Sequence, residues 1–155
     1  MTVAEELVEL LKANGLTCAT AESCTGGGVG SAITAVPGSS AVFAGGIISY
    51  ANDVKERVLG VPAETLATVG AVSSETAAQM AKGARELLRV DLAVSLTGIA
   101  GPDGGSAEKP VGLVWFGLAT KDGVRTEKAI FRGDRAQVRA QAVIHALGML
   151  TIAAT

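Results

Sequence analysis

The segment "LTCATAESCTGGGVG", Leu16 to Gly30, changes its pattern twice within a short span. Leu16 to Glu22 is a run of small and apolar residues with no charge before its last position, which reads as a short buried strand. From Thr25 onward, Val29, Ala32, Ile33 and Val36 recur at i, i+3, i+4 and i+7, the stripe of an amphipathic helix that Pro37-Gly38 stops. A buried strand that turns through glycines into a helix is the building unit of an α/β domain. Glu22, Ser23, Cys24 and Thr25 stand at the turn itself: one carboxylate, then three side chains able to act as nucleophiles.

The alternation continues on both sides. Val3, Leu7, Leu10 and Leu11 share one helical face, and Asn14-Gly15 ends that helix. "FAGGIISY", Phe43 to Tyr50, reads as a strand, followed by a short helix from Asn52 to Leu59 and another after Gly60-Val61-Pro62. Ser73 or Ser74 can cap a long helix with Ala77, Met80, Ala81, Ala84 and Leu88 on one face. "DLAVSLTGIAG", Asp91 to Gly101, is the apolar run of a central strand, and it opens into the polar loop "GPDGGSAEKP". Two further strands meet at Lys121-Asp122-Gly123, a hairpin signal. The last helix starts near Asp134, with Ala140, Val143, Ile144, Leu147 and Leu150 expected inward and His145 outward. The expected fold is α/β: one domain over residues 1–155, three layers (α/β/α), around a mixed, mostly parallel sheet of about five strands. The mixture follows because a tight hairpin cannot join parallel strands.

Composition narrows the function classes. The chain is 48% hydrophobic and 18% charged, with one tryptophan, one tyrosine and three phenylalanines, so it lacks an aromatic binding platform. A net charge of −2 argues against a broad nucleic-acid surface. Glu5, Glu6 and Glu9 near the start do not suit a secretory signal, and no apolar run reaches the roughly 18 residues of a membrane span. Cys18 and Cys24 lie on one expected strand and its exit, so reduced thiols and a cytoplasmic setting are expected, with no disulfide. High apolar content with few charges points to a buried subunit interface and hence a homo-oligomer, a dimer by preference.

Three readings of "SCTGGG" compete. In the first, Ser and Thr simply cap the helix that follows. The free N–H groups of a helix start can cradle a phosphate, although the Walker pattern is absent because no Gly-Lys-Ser/Thr follows. A serine on a strand-to-helix turn can also attack a carbonyl, with the N–H groups around Thr25, Gly26 and Gly27 receiving the oxyanion. His145 is the only histidine and lies far along the last helix, which disfavours a Ser-His-Asp triad. In "SYANDVK", Tyr50 ends a strand and Lys55 falls near the start of the next helix, if Asn52 caps it. A helix N-terminus and burial both disfavour an ammonium, and a neutral amine can take a proton from serine. Three segments leave strand ends and hold most of the unusual polar residues: Glu22–Gly28, Tyr50–Lys55 and Thr97–Lys109. A short-chain dehydrogenase is excluded, since Tyr50 and Lys55 are five apart and Ala32 occupies the third fingerprint glycine.

The stretches "AESCTGG", "VPGSSAVFAGGIISYANDVK", "LGVPAETLATVGAVSSETAAQMAKGA", "DLAVSLTGIAGPDGGSAEKPVGLVWFGLA" and "FRGDR" together resemble the CinA C-terminal domain family. The resemblance covers almost the whole chain. It implies a three-layer domain and hydrolysis of the carboxamide of nicotinamide mononucleotide to nicotinate mononucleotide and ammonia. It also implies that Ser23 is the nucleophile, with Lys55 and Tyr50 as its basic partners and no cofactor. Thr97, Gly98, Gly101, Gly105, Lys109 and Arg135 are then candidates for the substrate and its phosphate. The alternative is a nucleotide-binding or regulatory module without turnover. With two cysteines and one histidine, the sequence has no metal-ligand cluster of recognisable spacing. Turnover is therefore expected to survive exhaustive chelation. A stoichiometric metal whose removal stops the reaction, and whose return restores it, refutes this.

Overall fold

A computed structural model describes residues 1–155. Helix α1, Val3–Asn14, is set by a capping box: the Thr2 hydroxyl accepts the Glu5 N–H while the Glu5 carboxylate accepts the Thr2 N–H. The chain then runs through β1 (Cys18–Glu22), α2 (Gly28–Thr34), β2 (Phe43–Ile48), α3 (Asn52–Arg57), α4 (Ala63–Thr68), α5 (Ser74–Leu88) and β3 (Leu92–Gly98). The hairpin β4 (Leu113–Thr120) and β5 (Gly123–Ile130) follows, and α6 (Arg135–Ala154) closes the fold.

The sheet order is β2-β1-β3-β4-β5. β1 pairs in parallel with β2 and β3, whereas β4 is antiparallel to β3 and β5. Four of the five strands therefore point one way, and β3 lies at the centre as its continuous apolar run requires. α5 covers one face, over Ala19, Ala21, Ala93 and Ala119. α1, α2 and α6 cover the other, where Leu7, Leu11, Ile33, Leu96, Phe116, Leu147 and Leu150 form the larger core.

Small residues on the α5 face allow close approach. Ser95 Oγ donates to the Ala77 carbonyl of α5 at 2.5 Å. A Cβ on Gly117 would strike that same carbonyl and the Ser95 hydroxyl.

Two expectations change. α6 buries Val138, Ala142, Ala146, Leu147, Met149, Leu150 and Ala154, while Ala140 is exposed and Ile144 is 56% exposed. His145 turns inward, and its ring stacks on Phe116 at 4.2 Å between centroids. The helix is apolar almost all round from Ala140 to Ala154, so periodicity alone does not select its buried face. Asn52 also does not cap α3: the cap position is Ala51, without a side-chain bond, and Asn52 is the first helical residue.

The Gly117 contact gives a stability test. Gly117→Ala is expected to lose about 1–3 kcal/mol in urea unfolding through overpacking against α5, with its denaturant slope unchanged. Wild-type stability in this variant would show that α5 does not sit directly on the sheet.

Candidate active site

The site forms where β1, β2 and β3 end together. Beyond Glu22, the Ser23 N–H donates to the Leu96 carbonyl at 3.0 Å, so the β1–β3 ladder reaches the serine. The chain then turns sharply. Gly26 N–H donates to the Ser23 carbonyl at 3.1 Å, and Gly26 and Gly27 adopt φ of +59° and +103°. Such angles strain any residue with a Cβ, which is the reason for glycine at these two positions.

Glu22 ties this turn to α2. Its carboxylate is buried and accepts from the Thr25 hydroxyl at 2.6 Å and from the N–H groups of Val29 and Gly30 at 2.8 and 3.0 Å. It thus satisfies the orphan donors of the α2 N-terminus and complements the helix dipole. With both oxygens so engaged, Glu22 serves as the anchor of the loop and is not free to act as a base.

Lys55 arrives from the neighbouring strand. The Ser49 N–H donates to the Glu22 carbonyl at 2.8 Å, which holds the exit of β2 beside the end of β1. α3 then starts at once and points Lys55 back under the sheet edge. The side chain is 1% exposed. Its Nζ lies 3.1 Å from Ser23 Oγ, 2.8 Å from the Ser49 carbonyl and 3.2 Å from the Tyr50 carbonyl. No carboxylate is among these partners. Burial consequently pushes the Lys55 pKa down, with the neighbouring Cys24 opposing the shift. The Cys24 thiol is itself buried, and burial raises its pKa to about 11, so it stays a thiol at neutral pH.

A family model for the CinA C-terminal domain matches residues 1–153. The chain belongs to the CinA C-terminal domain family. It is 52% identical over 151 residues to the nicotinamide-nucleotide amidohydrolase PncC of Escherichia coli K12, covering 97% of this chain and 92% of that protein. It is 57% identical over 132 residues to a competence-damage inducible protein of Halothermothrix orenii, and spans only 32% of that longer relative. Among solved structures, a CinA superfamily protein from Klebsiella pneumoniae superposes with a TM-score of 0.94 at 36% identity, covering 98% of this chain and 95% of that one. A competence/damage inducible protein from Agrobacterium tumefaciens gives 0.91 at 46% identity, covering 99% and 96%.

Other expected residues of this CinA domain divide into two groups. Arg135 belongs to the rim of the site: it donates to the Gly101 carbonyl at 2.9 Å and to the Tyr50 hydroxyl at 3.4 Å, joining the glycine loop to Tyr50. The Tyr50 side chain is 64% exposed, so only its backbone carbonyl reaches Lys55, and its hydroxyl does not lie between Lys55 and Ser23. Lys109 and Thr97, by contrast, are engaged elsewhere. Lys109 Nζ donates to the Val69 carbonyl at 2.7 Å and Thr97 Oγ1 to the Ala71 carbonyl at 2.8 Å, and both secure the segment before α5. Gly98 packs against Leu113 and Val114, and Gly101 and Gly105 pack against Val111, so these glycines serve close packing of the loop.

Two contributors carry no signal in the sequence pattern. One is the Ser49 carbonyl, a backbone group present whatever the side chain. The other is Arg139 of α6, which donates to the carbonyls of Cys24 and Thr25. A cavity of about 690 Å³ lies at the opposite end of the sheet, lined by residues such as Asn14, Asp91, Lys121 and Arg125. Its lining includes neither Ser23 nor Lys55, where the unusual chemistry lies.

The depressed Lys55 pKa fixes a sign. Below its folded pKa the buried amine is protonated in both states, and the fold carries the full cost of the desolvated charge. As pH rises from the folded value towards the ordinary 10.5, the unfolded chain holds more protons, so the fold gains stability. Relative to Lys55→Met, wild type should therefore become more stable across that window in urea titrations. A difference that stays flat with pH would mean that Lys55 titrates normally.

Proposed function

We propose that this CinA domain hydrolyses the carboxamide of nicotinamide mononucleotide to nicotinate mononucleotide and ammonia, with Ser23 as nucleophile and Lys55 as base. The observation that carries this is the 3.1 Å contact between Ser23 Oγ and a buried lysine with no carboxylate partner. The 52% identity with a nicotinamide-nucleotide amidohydrolase supports the substrate class. A nucleotide-binding module without turnover would gain nothing from a desolvated lysine held on a serine hydroxyl.

A neutral amine has two N–H donors and one lone pair. The donors suit the carbonyls of Ser49 and Tyr50, and the lone pair is left for the Ser23 hydroxyl. As Ser23 Oγ bonds to the amide carbon, its proton passes to Lys55. The carbonyl electron pair moves onto oxygen, where the unbonded N–H groups of Thr25 and Gly27 are the candidate donors. Gly26 is not among them, because its N–H already serves the Ser23 carbonyl. When the oxyanion collapses, the C–N bond breaks and Lys55 gives its proton to the departing nitrogen, which leaves as ammonia. Water then attacks the ester, Lys55 takes the water proton, and the proton returns to Ser23 as the C–O bond breaks. Tyr50 is not needed for this transfer. With Arg135 it offers a hydroxyl and a guanidinium at the rim, suited to the nucleotide phosphate. A dimer belongs to the same proposal, since Ile48, Tyr50 and Val58 leave apolar surface exposed on edge strand β2 and around α3.

Ammonia release from nicotinamide mononucleotide tests this directly. Ser23→Ala should lose on the order of 10³-fold or more in kcat, as expected for a missing nucleophile. Cys24→Ala should retain most activity. Lys55→Arg should be as inactive as Lys55→Ala while still binding the product, because guanidinium does not deprotonate in a protein. Near-normal kcat in Lys55→Arg would remove lysine as the base, and an active Ser23→Ala would remove the serine.

A further inference from the structure

Arg139, in the second turn of α6, touches the nucleophile loop. Its Nε donates to the Cys24 carbonyl at 3.1 Å and its Nη2 to the Thr25 carbonyl at 3.2 Å. These carbonyls belong to consecutive peptide groups, whose other ends are the N–H groups of Thr25 and Gly26. A trans peptide is planar, with its N–H directed away from its C=O. Holding the two carbonyls therefore fixes the direction of both N–H groups. That of Gly26 closes the turn on the Ser23 carbonyl, and that of Thr25 has no acceptor within the chain.

We propose that Arg139 is a positioning residue for the oxyanion donor. By gripping the Cys24 and Thr25 carbonyls it aims the Thr25 N–H at the oxygen that becomes negative when Ser23 attacks. Its charge also polarises the same peptide group and makes that N–H a stronger donor. Glu22 holds the Thr25 hydroxyl, so the side chain of this residue and the carbonyls around it are each fixed by a charged partner. The inference rests on the reading of Ser23 as an acyl-transfer nucleophile. Arg139 touches only backbone carbonyls, and neither Ser23 Oγ nor Lys55 is among its partners.

The test uses a fluorophosphonate ester on the full chain. Ser23 Oγ displaces fluoride from phosphorus, its proton passes to Lys55, and the phosphoryl oxygen takes the place of the oxyanion. The second-order rate of Ser23 labelling is measured by mass spectrometry for wild type, Arg139→Ala and Arg139→Lys, together with Tm and the pH dependence of labelling. Arg139→Ala should label about 10- to 100-fold more slowly, less than or comparable to deletion of a direct oxyanion donor. Arg139→Lys should fall between, because one ammonium cannot span two carbonyls with a fixed fork. Both should keep the wild-type pH midpoint, since Lys55 is untouched. Labelling at the wild-type rate in these variants overturns the proposal. So does a shifted pH midpoint, or a loss of labelling that merely follows a loss of Tm. If Arg139→Ala does not fold, Arg139→Lys decides. A wild type that labels at Ser23 but releases no ammonia sinks the amidase reading and leaves this inference standing; a wild type that resists labelling sinks both.

Discussion

The buried carboxylate of Glu22 is the contact on which the site depends. It ends β1, yet its oxygens bond to a hydroxyl and two N–H groups at the beginning of α2. One residue thereby fixes both the direction in which the chain leaves the sheet and the point at which the helix begins. A carboxylate with so little solvent needs this many donors, and a helix N-terminus needs acceptors. Each requirement satisfies the other. Ser23 and the glycine turn lie between these two fixed ends, so the serine has little freedom to wander.

Lys55 obeys the opposite rule. Its amine is as buried as the carboxylate, but its partners are a hydroxyl and two carbonyls, none of which carries a charge. Desolvation is therefore left uncompensated, and the neutral form gains. One buried ionisable group precedes the serine in the chain and the other reaches its Oγ at 3.1 Å from a distant segment, yet the first is held by matched donors and the second is deprived of a counter-charge. That difference separates an anchoring residue from a candidate base.

α6 links the site to the core. Its inner face packs Ala142, Ala146, Leu147 and Leu150 against the sheet, while its first two turns extend Arg135 and Arg139 over the loops. A twenty-residue helix anchored along most of its length gives these long cationic side chains a rigid base. Arg139 reaches only backbone carbonyls from there, whereas Arg135 reaches the Gly101 carbonyl and the Tyr50 hydroxyl.

The sequence by itself determined the element order, the central place of β3, the hairpin and the strand-to-helix turn at Ser23, because each rests on local periodicity or on turn residues. It also placed Ser23 and Lys55 at strand ends that a parallel β1–β2 pair brings together. It did not determine which face of α6 is buried, since Ala140 to Ala154 is apolar in nearly every direction and only the shape of the opposing core selects Ala142 and Ala146 over Ala140 and Ile144. Nor did it show what engages Lys109, in the polar loop, and Thr97, near the end of β3, which bond to the carbonyls of Val69 and Ala71. The carbonyls that hold Lys55 and Arg139 were illegible for a simpler reason. Every residue has a carbonyl, so side-chain identity says nothing of where it points, and only the tertiary fold decides that.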